Sequence, residues 1–307
     1  GAQKEMADTQ IIKIATASYP LDVLDHWDDY TRKITSWVAE AAQEGAHLLV
    51  FPEYGAMELA TLDGPEVAGD LEASLHAVSA YLPRVDALHR ALAREYGVHI
   101  LAASAPATAD VPQGVTRPVN RVRLFAPSGQ MGTQDKQIMT RFEAEEWDVV
   151  PGGPLQLFDT SVGKIGVLIC YDAEFPLLGR ALAQADIILV PSVTEAMTGY
   201  SRVRIGAQAR ALENQCITVM SSIVGDAMWS PALETCVGAG GVFGPPDRGF
   251  PETGVFAVGT LNQAGWVYAE VDLEAVATVR RDGGVLNRRD WDAQAGRDVP
   301  APVKQLA

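Results

Sequence analysis

Cysteine is scarce. Cys170, Cys216 and Cys236 are the only three in 307 residues, too few and too unpaired for a disulfide framework. No CxxC pair occurs, so neither a zinc ribbon nor a thioredoxin-type redox motif is expected. Basic residues are also short, with 24 Lys and Arg against 39 Asp and Glu, for a formal net charge of −15. A chain this acidic lacks the basic face that a phosphate backbone requires, which argues against a nucleic-acid partner. No apolar run approaches the roughly 18 residues of a spanning helix, so no membrane partner is expected. Gly1 to Gln10 is polar and lacks the apolar stretch of a signal peptide, and a reducing cytoplasm is the expected compartment. All five histidines (His26, His47, His76, His89, His99) precede Cys170, whereas a papain-like Cys–His protease needs its histidine downstream. The HExxH pattern, the P-loop pattern and a GxGxxG opening a helix are all missing, so neither a metal nor a cofactor is expected.

What is present is globular. Apolar residues make up 48% and charged residues 21%, and folding at this length can withdraw roughly 75% of the unfolded chain's surface from water. Apolar runs at Ile11–Ala17, HLLVFPE, HILAAS, GVLIC, DIILVPS and CITVMSS read as strands. Between them lie helical patterns at about Trp27–Ala42, Leu71–Tyr96 (with Pro83 a candidate break), Ala173–Ala185 and Tyr200–Asn214. Turns at Pro127-Ser128-Gly129 and Val162-Gly163-Lys164 suggest hairpins, so the sheets should not be purely parallel. GAGG at Gly238–Gly241 precedes VFGPP and not a helix, so it reads as a strand entry. The expected class is α/β. We divide the chain into residues 1–9, a disordered or tag-derived N-terminus; 10–275, one catalytic domain; and 276–307, a polar C-terminal extension expected to pack on a neighbouring subunit.

Three polar residues end apolar strands: Glu53 in LLVFPEYG, Lys136 in QMGTQDKQ and Cys170 in GKIGVLICYDAEFP. Strand ends are where α/β folds place chemistry. Each alone reads as ordinary, the thiol as a small buried hydrophobe, the acid and the lysine as surface residues. Together, an acid, an ammonium and a thiol can cleave an amide. The acid takes the thiol proton and returns it to the leaving amine, while the ammonium stabilises the oxyanion. The peptide N–H of Tyr171 is the expected second oxyanion donor. Asp172 and Glu174 are expected to cap and orient the following helix, and Arg210 and Glu213 to form a structural ion pair. Tyr54 and Tyr171 are candidate pocket residues, although an aromatic beside a strand end also serves packing. Thr194, Glu195 and Met197 follow a strand on the loop where substrate choice would be set. Cys216 and Cys236 read as buried thiols, and His47 as structural.

VFPEYG, DKQIMTRFE and GVLICYDAEFP, followed in order by ADIILVPS and AQARALENQ, resemble the nitrilase superfamily of carbon–nitrogen hydrolases over about Ile11–Asp272. That resemblance implies an αββα sandwich of two mixed β-sheets flanked by helices, a Glu53–Lys136–Cys170 triad with a thioester intermediate, and homodimers or larger assemblies. It also implies a second glutamate that orients the lysine and substrate, for which Glu143 is preferred over Glu145 and Glu146. Tyr171-Asp172 after the thiol resembles the amidase-like branch, whereas nitrile-hydrolysing members tend to carry Trp-Glu. A small linear amide is thus the expected substrate, with ammonia and a carboxylic acid as products. A nitrilase, an N-carbamoyl hydrolase or a catalytically idle amide-binding relative are the alternatives.

Overall fold

A computed structural model describes residues 11–307; the stretch expected as a disordered or tag-derived terminus, 1–9, lies outside the described residues. Alternation along the strands builds the layers. In β1 (Ile11–Pro20), Ile12 and Ile14 enter one apolar cluster, whereas Ala15, Ala17 and Tyr19 enter another. In β2 (Leu48–Val50), Leu48 and Val50 likewise part from Leu49. The second cluster is covered by helices α1 (Trp27–Gln43), through Tyr30, Ile34, Val38 and Ala41, and α2 (Leu71–Tyr96), through Leu75, Val78, Leu82 and Val85. β3 (His99–Ala107), β4 (Val119–Phe125) and β5 (Met131–Asp135) extend this half.

The other half contains β6 (Phe158–Thr160), β7 (Gly163–Val167), the short helix α3 (Pro176–Ala181), β8 (Ile187–Ser192), α4 (Met197–Asn214) and β9 (Ile217–Asp226). The chain closes with β10 (Thr235–Cys236), β11 (Gly241–Phe243), β12 (Val255–Val258), β13 (Gly265–Asp272) and α5 (Leu273–Asp282). The strand order is β5-β4-β3-β2-β1-β9-β8-β7-β6, with β13 antiparallel on β1 and β11 on β9. β1–β2–β3 and β7–β8–β9 pair in parallel, and their outer neighbours pair antiparallel. Among the described residues, the strands of the two halves pair where Ser18–Pro20 runs parallel to Ser222–Val224, beyond the end of β2. Ile12, Ile14, Leu48, Val50 and Leu101 of one half share a cluster with β7, β8, β9 and with Tyr200, Val203 and Ala207 of α4. The layers therefore run helix, sheet, sheet, helix, a mixed α/β fold.

Three expectations need correction. Pro83 does not break α2, which runs unbroken from Leu71 to Tyr96; Pro83 lies on the exposed face, where the carbonyl freed of its helical N–H can meet water. Gly97 then ends the helix in the left-handed conformation, φ 65°. The helix expected over Ala173–Ala185 is shorter, a 3₁₀ turn Cys170–Glu174 and then α3, because Pro176 can only begin a helix. The boundary placed at 275/276 falls inside α5, which buries Val276 and Val279 on its own chain. Arg280 of that helix donates to the carbonyls of Ala185 and Asn214.

Candidate active site

β2 ends at the run Phe51-Pro52-Glu53, and the loop behind it is pinned to β3. Ser104 Oγ accepts from the Tyr54 N–H at 2.8 Å, and Ser104 N–H donates to the Pro52 carbonyl at 3.1 Å. Tyr54 sits in the left-handed region at φ 58°, which turns its side chain and that of Glu53 inward, both buried. β5 ends at Asp135, held by Arg121 at 2.6 Å, and the next amide, Lys136 N–H, donates to the Asn120 carbonyl at 2.8 Å. Cys170 opens the 3₁₀ turn after β7 with φ 50°. A left-handed non-glycine residue is strained, and such strain persists where surrounding structure enforces it. Arg210 of α4 enforces it in part, donating to the Ala173 carbonyl at 3.1 Å, and it pairs with Glu213 at 2.8 Å. Gly206 permits the approach of α4, since a Cβ there would lie 2.7 Å from the Ala173 carbonyl oxygen.

Asp172 does not cap the following helix as expected. It is buried, and its two carboxylate oxygens accept the N–H groups of Gln137 and Ile138 at 3.0 and 2.9 Å, which ties the thiol's turn to the segment after Lys136. Burial pushes its carboxyl up to about 7. Glu174 borders the cavity, 3.8 Å from Arg202.

These elements bring Glu53, Lys136 and Glu143 into direct contact. Lys136 Nζ lies 2.7 Å from Glu53 Oε2 and 2.6 Å from Glu143 Oε1. Glu145 and Glu146 are exposed, and Glu145 pairs with Arg141. Glu143 is fully engaged. Its Oε1 also accepts from the N–H and hydroxyl of Thr140, each at 3.1 Å, and its Oε2 from the Tyr54 hydroxyl at 2.6 Å and Asn120 Nδ2 at 3.3 Å. Glu53 Oε2 also accepts from Asn120 Nδ2 at 2.9 Å, and its Oε1 accepts the Val193 N–H at 3.2 Å. The Cys170 thiol donates to the Val193 carbonyl at 3.7 Å. Among the described residues no acceptor takes the third hydrogen of the Lys136 ammonium, and none takes the Tyr171 N–H.

Charge separates the two glutamates. Burial raises the Glu53 carboxyl above its ordinary range, more than Lys136 can offset. Burial acts on Glu143 the same way, but there the charge of Lys136 and the hydrogen bonds prevail and hold it low. Burial would push the Lys136 ammonium down, yet Glu53 and Glu143 hold it well above its ordinary value. Burial and then Glu53 push the Cys170 thiol up, with Lys136 opposing, so a neutral thiol rests beside a carboxylate with a spare oxygen. Such an array can move a proton from sulfur to Glu53 Oε1 while an ammonium waits for developing negative charge.

The cluster opens into a cavity of about 590 Å³. Tyr54, Tyr171, Thr194 and Glu195 all line it, and the Thr194 hydroxyl also donates to the Val237 carbonyl at 2.8 Å. Trp147, whose ring lies 4.7 Å from that of Tyr54, Arg141, Arg202 and the run Pro231–Leu233 complete much of the wall. Cys236 borders it too, whereas Cys216 is buried elsewhere. Reading the sequence passed over Asn120, Thr140 and the Val193 amide. Asn120 carried no signal in the sequence, since only the fold shows that every position of VNRVRLF is buried. Among the described residues no three His, Cys, Asp or Glu gather to hold a metal ion. Among the described residues no helix is long and apolar enough to cross a membrane.

The chain is thus a mixed α/β sandwich in which an acid after β2, a lysine after β5 and a thiol after β7 line one cavity. The carbon–nitrogen hydrolase family matches residues 13–281, and the chain belongs to that family. A probable hydrolase, YhcX, of Bacillus subtilis is 30% identical over 284 residues, 91% of this chain; the chain spans about half of that relative, 53% of its length. The omega-amidase NIT2-B of Xenopus laevis is 24% identical over 277 residues, 85% of this chain and 89% of that protein. In fold, a carbon–nitrogen hydrolase from Helicobacter pylori G27 superposes with a TM-score of 0.72 at 20% identity, covering 89% of this chain and 93% of that one.

Proposed function

We propose that the chain hydrolyses the C–N bond of a small linear amide through a thioester on Cys170. The supporting observation is the Lys136 ammonium wedged between Glu53 and Glu143 beside the thiol, at the floor of one cavity. Cys170 Sγ attacks the amide carbon as its proton passes to Glu53. The oxygen becomes an oxyanion facing the free N–H of Lys136 and that of Tyr171. The C–N bond then breaks, Glu53 returns the proton to nitrogen, and ammonia leaves. Water attacks the thioester with its proton going to Glu53. The C–S bond breaks, releasing the carboxylic acid, and the thiol regains the proton. A resting thiol instead of a thiolate suits a base whose own affinity for protons is raised. The similarity to an omega-amidase supports the choice of amide over nitrile.

The same reading extends to assembly and location. Leu177 on α3 with Ile205 and Leu212 on the neighbouring α4 are exposed, which supports a homodimer or larger homo-oligomer. Residues 295–307 are exposed and carry Val299, Val303 and Leu306, which supports their packing on a neighbouring subunit. Three free thiols suit a reducing cytoplasm.

The test is ammonia release from a panel of short aliphatic amides, ω-amides, nitriles and carbamoyl compounds. Wild type should turn over at least one amide, and Cys170→Ala none, with its melting temperature retained. Turnover of nitriles alone, or no difference between the two proteins, contradicts the reading.

A further inference from the structure

We infer that Asn120 is a positioning residue that reserves one oxygen of Glu53, Oε1, as the proton acceptor by holding the other oxygen and Glu143 with a single amide group. The inference rests on the reading of Glu53 as the base. Asn120 stands near the start of β4, where no solvent reaches it. Its Nδ2 group has two hydrogens, and the two acceptors are Glu53 Oε2 at 2.9 Å and Glu143 Oε2 at 3.3 Å. Its own backbone carbonyl accepts the Lys136 N–H at 2.8 Å, so one residue touches three members of the cluster.

The orientation of this amide is forced. Oδ1 of Asn120 is buried without a partner, which costs free energy. The flipped amide would place that oxygen against two carboxylates, which costs more. The consequence appears on Glu53. Lys136 and Asn120 together occupy Oε2, leaving Oε1 with one long bond from Val193 and room for a proton. Glu143, bonded at both oxygens, has no such room. The titratable groups around the amide are Glu53 and Tyr54 from the loop after β2, Lys136 and Glu143 from the segment after β5, and Cys170 from the turn after β7.

The expected pH dependence has a definite sign. Glu53 must be ionised to accept a proton, so rates fall as pH drops through the value at which the cluster takes one up. Removing a donor from the carboxylate makes protonation easier, so that limb moves to higher pH. The readout is the rate of Cys170 carboxamidomethylation by iodoacetamide against pH, followed by intact mass and peptide mapping, with kcat and KM on an amide of the panel that wild type turns over as the second readout. Cys216 and Cys236, whose thiols burial pushes up to about 12, serve as internal references. For Asn120→Ala the acid limb should move up by about one pH unit, with kcat lower by about tenfold and KM nearly unchanged. Asn120→Ser, which keeps one hydroxyl donor and the fold's demand for a small polar group, should fall between. Asn120→Asp, which replaces the donor with an acceptor, should fall furthest.

An unshifted limb in Asn120→Ala or Asn120→Ser, with any loss uniform across pH, overturns the inference and leaves Glu53 as the base. Wild-type rates in Asn120→Asp do the same. If Glu53→Gln keeps full turnover, the reading of Glu53 itself fails, a result that no Asn120 variant can mimic.

Discussion

Two buried glutamates five residues apart in the chain, Glu53 and Glu58, each pair with a lysine, and only one of the pairs faces a cavity and a thiol. Glu58 pairs with Lys33 at 2.6 Å, much as Glu53 pairs with Lys136 at 2.7 Å, and burial raises both carboxyls. The first pair is closed. Lys33 donates to Glu58, to the Pro20 carbonyl at 2.6 Å and to Asp22 at 2.9 Å, and its ammonium lies 4.2 Å from the centre of the Tyr19 ring. Glu58 Oε2 accepts from the Tyr19 hydroxyl at 2.5 Å, and Oε1 from the Asp22 N–H as well as from Lys33. Each hydrogen of the Lys33 ammonium has an acceptor. In the second pair the two carboxylate oxygens accept as many bonds as those of Glu58, but one ammonium hydrogen of Lys136 has no acceptor among the described residues, and the pair lies beside a strained thiol and a cavity. Burial and pairing are therefore common to both carboxylates; what separates the pairs is an unspent ammonium hydrogen and an open cavity beside a thiol.

The widest separation between the two pairs should come from parallel lysine substitutions. Lys136→Met should reduce kcat by about a thousandfold, since it removes both the thiol's positive neighbour and an oxyanion donor. Lys33→Met should leave kcat per folded molecule near wild type but cost about 3 kcal/mol of stability, because it strands a buried carboxylate. Urea unfolding and steady-state kinetics on both variants check the pair. Equal kinetic losses, or a Lys33 variant as stable as wild type, would erase the distinction. A smaller effect sharpens it further. Tyr54→Phe removes one of the bonds to Glu143 and nothing from Glu53, so kcat should fall by about three- to tenfold, with melting temperature little changed. A loss confined to KM would instead make Tyr54 a wall of the pocket.

Much of this arrangement was legible in the sequence, for identifiable reasons. Glu53, Lys136 and Cys170 each end an apolar strand, which alone reads as ordinary; what marked them is that all three stand in motifs that resemble the nitrilase superfamily, in its order. Glu143 was chosen over two neighbouring acids, and burial in the 143–147 turn now separates them: Glu143 is enclosed while Glu145 and Glu146 face solvent. Asn120 was not legible, since its role depends on strand pairing that brings β4 beside β5 and under the loop after β2. Asp172 was misread for the same reason. An acid just before a helix looks like a cap, and only the fold shows its oxygens turned back onto Gln137 and Ile138. The helix Leu273–Asp282 was missed because only Val276 and Val279 bury their side chains, leaving a polar pattern.

The central claim is that carbon–nitrogen cleavage proceeds through an acyl group on one particular sulfur. Mixing the protein with a slowly hydrolysed amide, quenching in acid and mapping the mass by peptide is the most direct measurement. The expected result is a mass increase equal to the acyl group, located on Cys170 and absent from Cys170→Ala. Turnover without any acyl-protein, or an adduct on Cys236 at the rim of the same cavity, would contradict it.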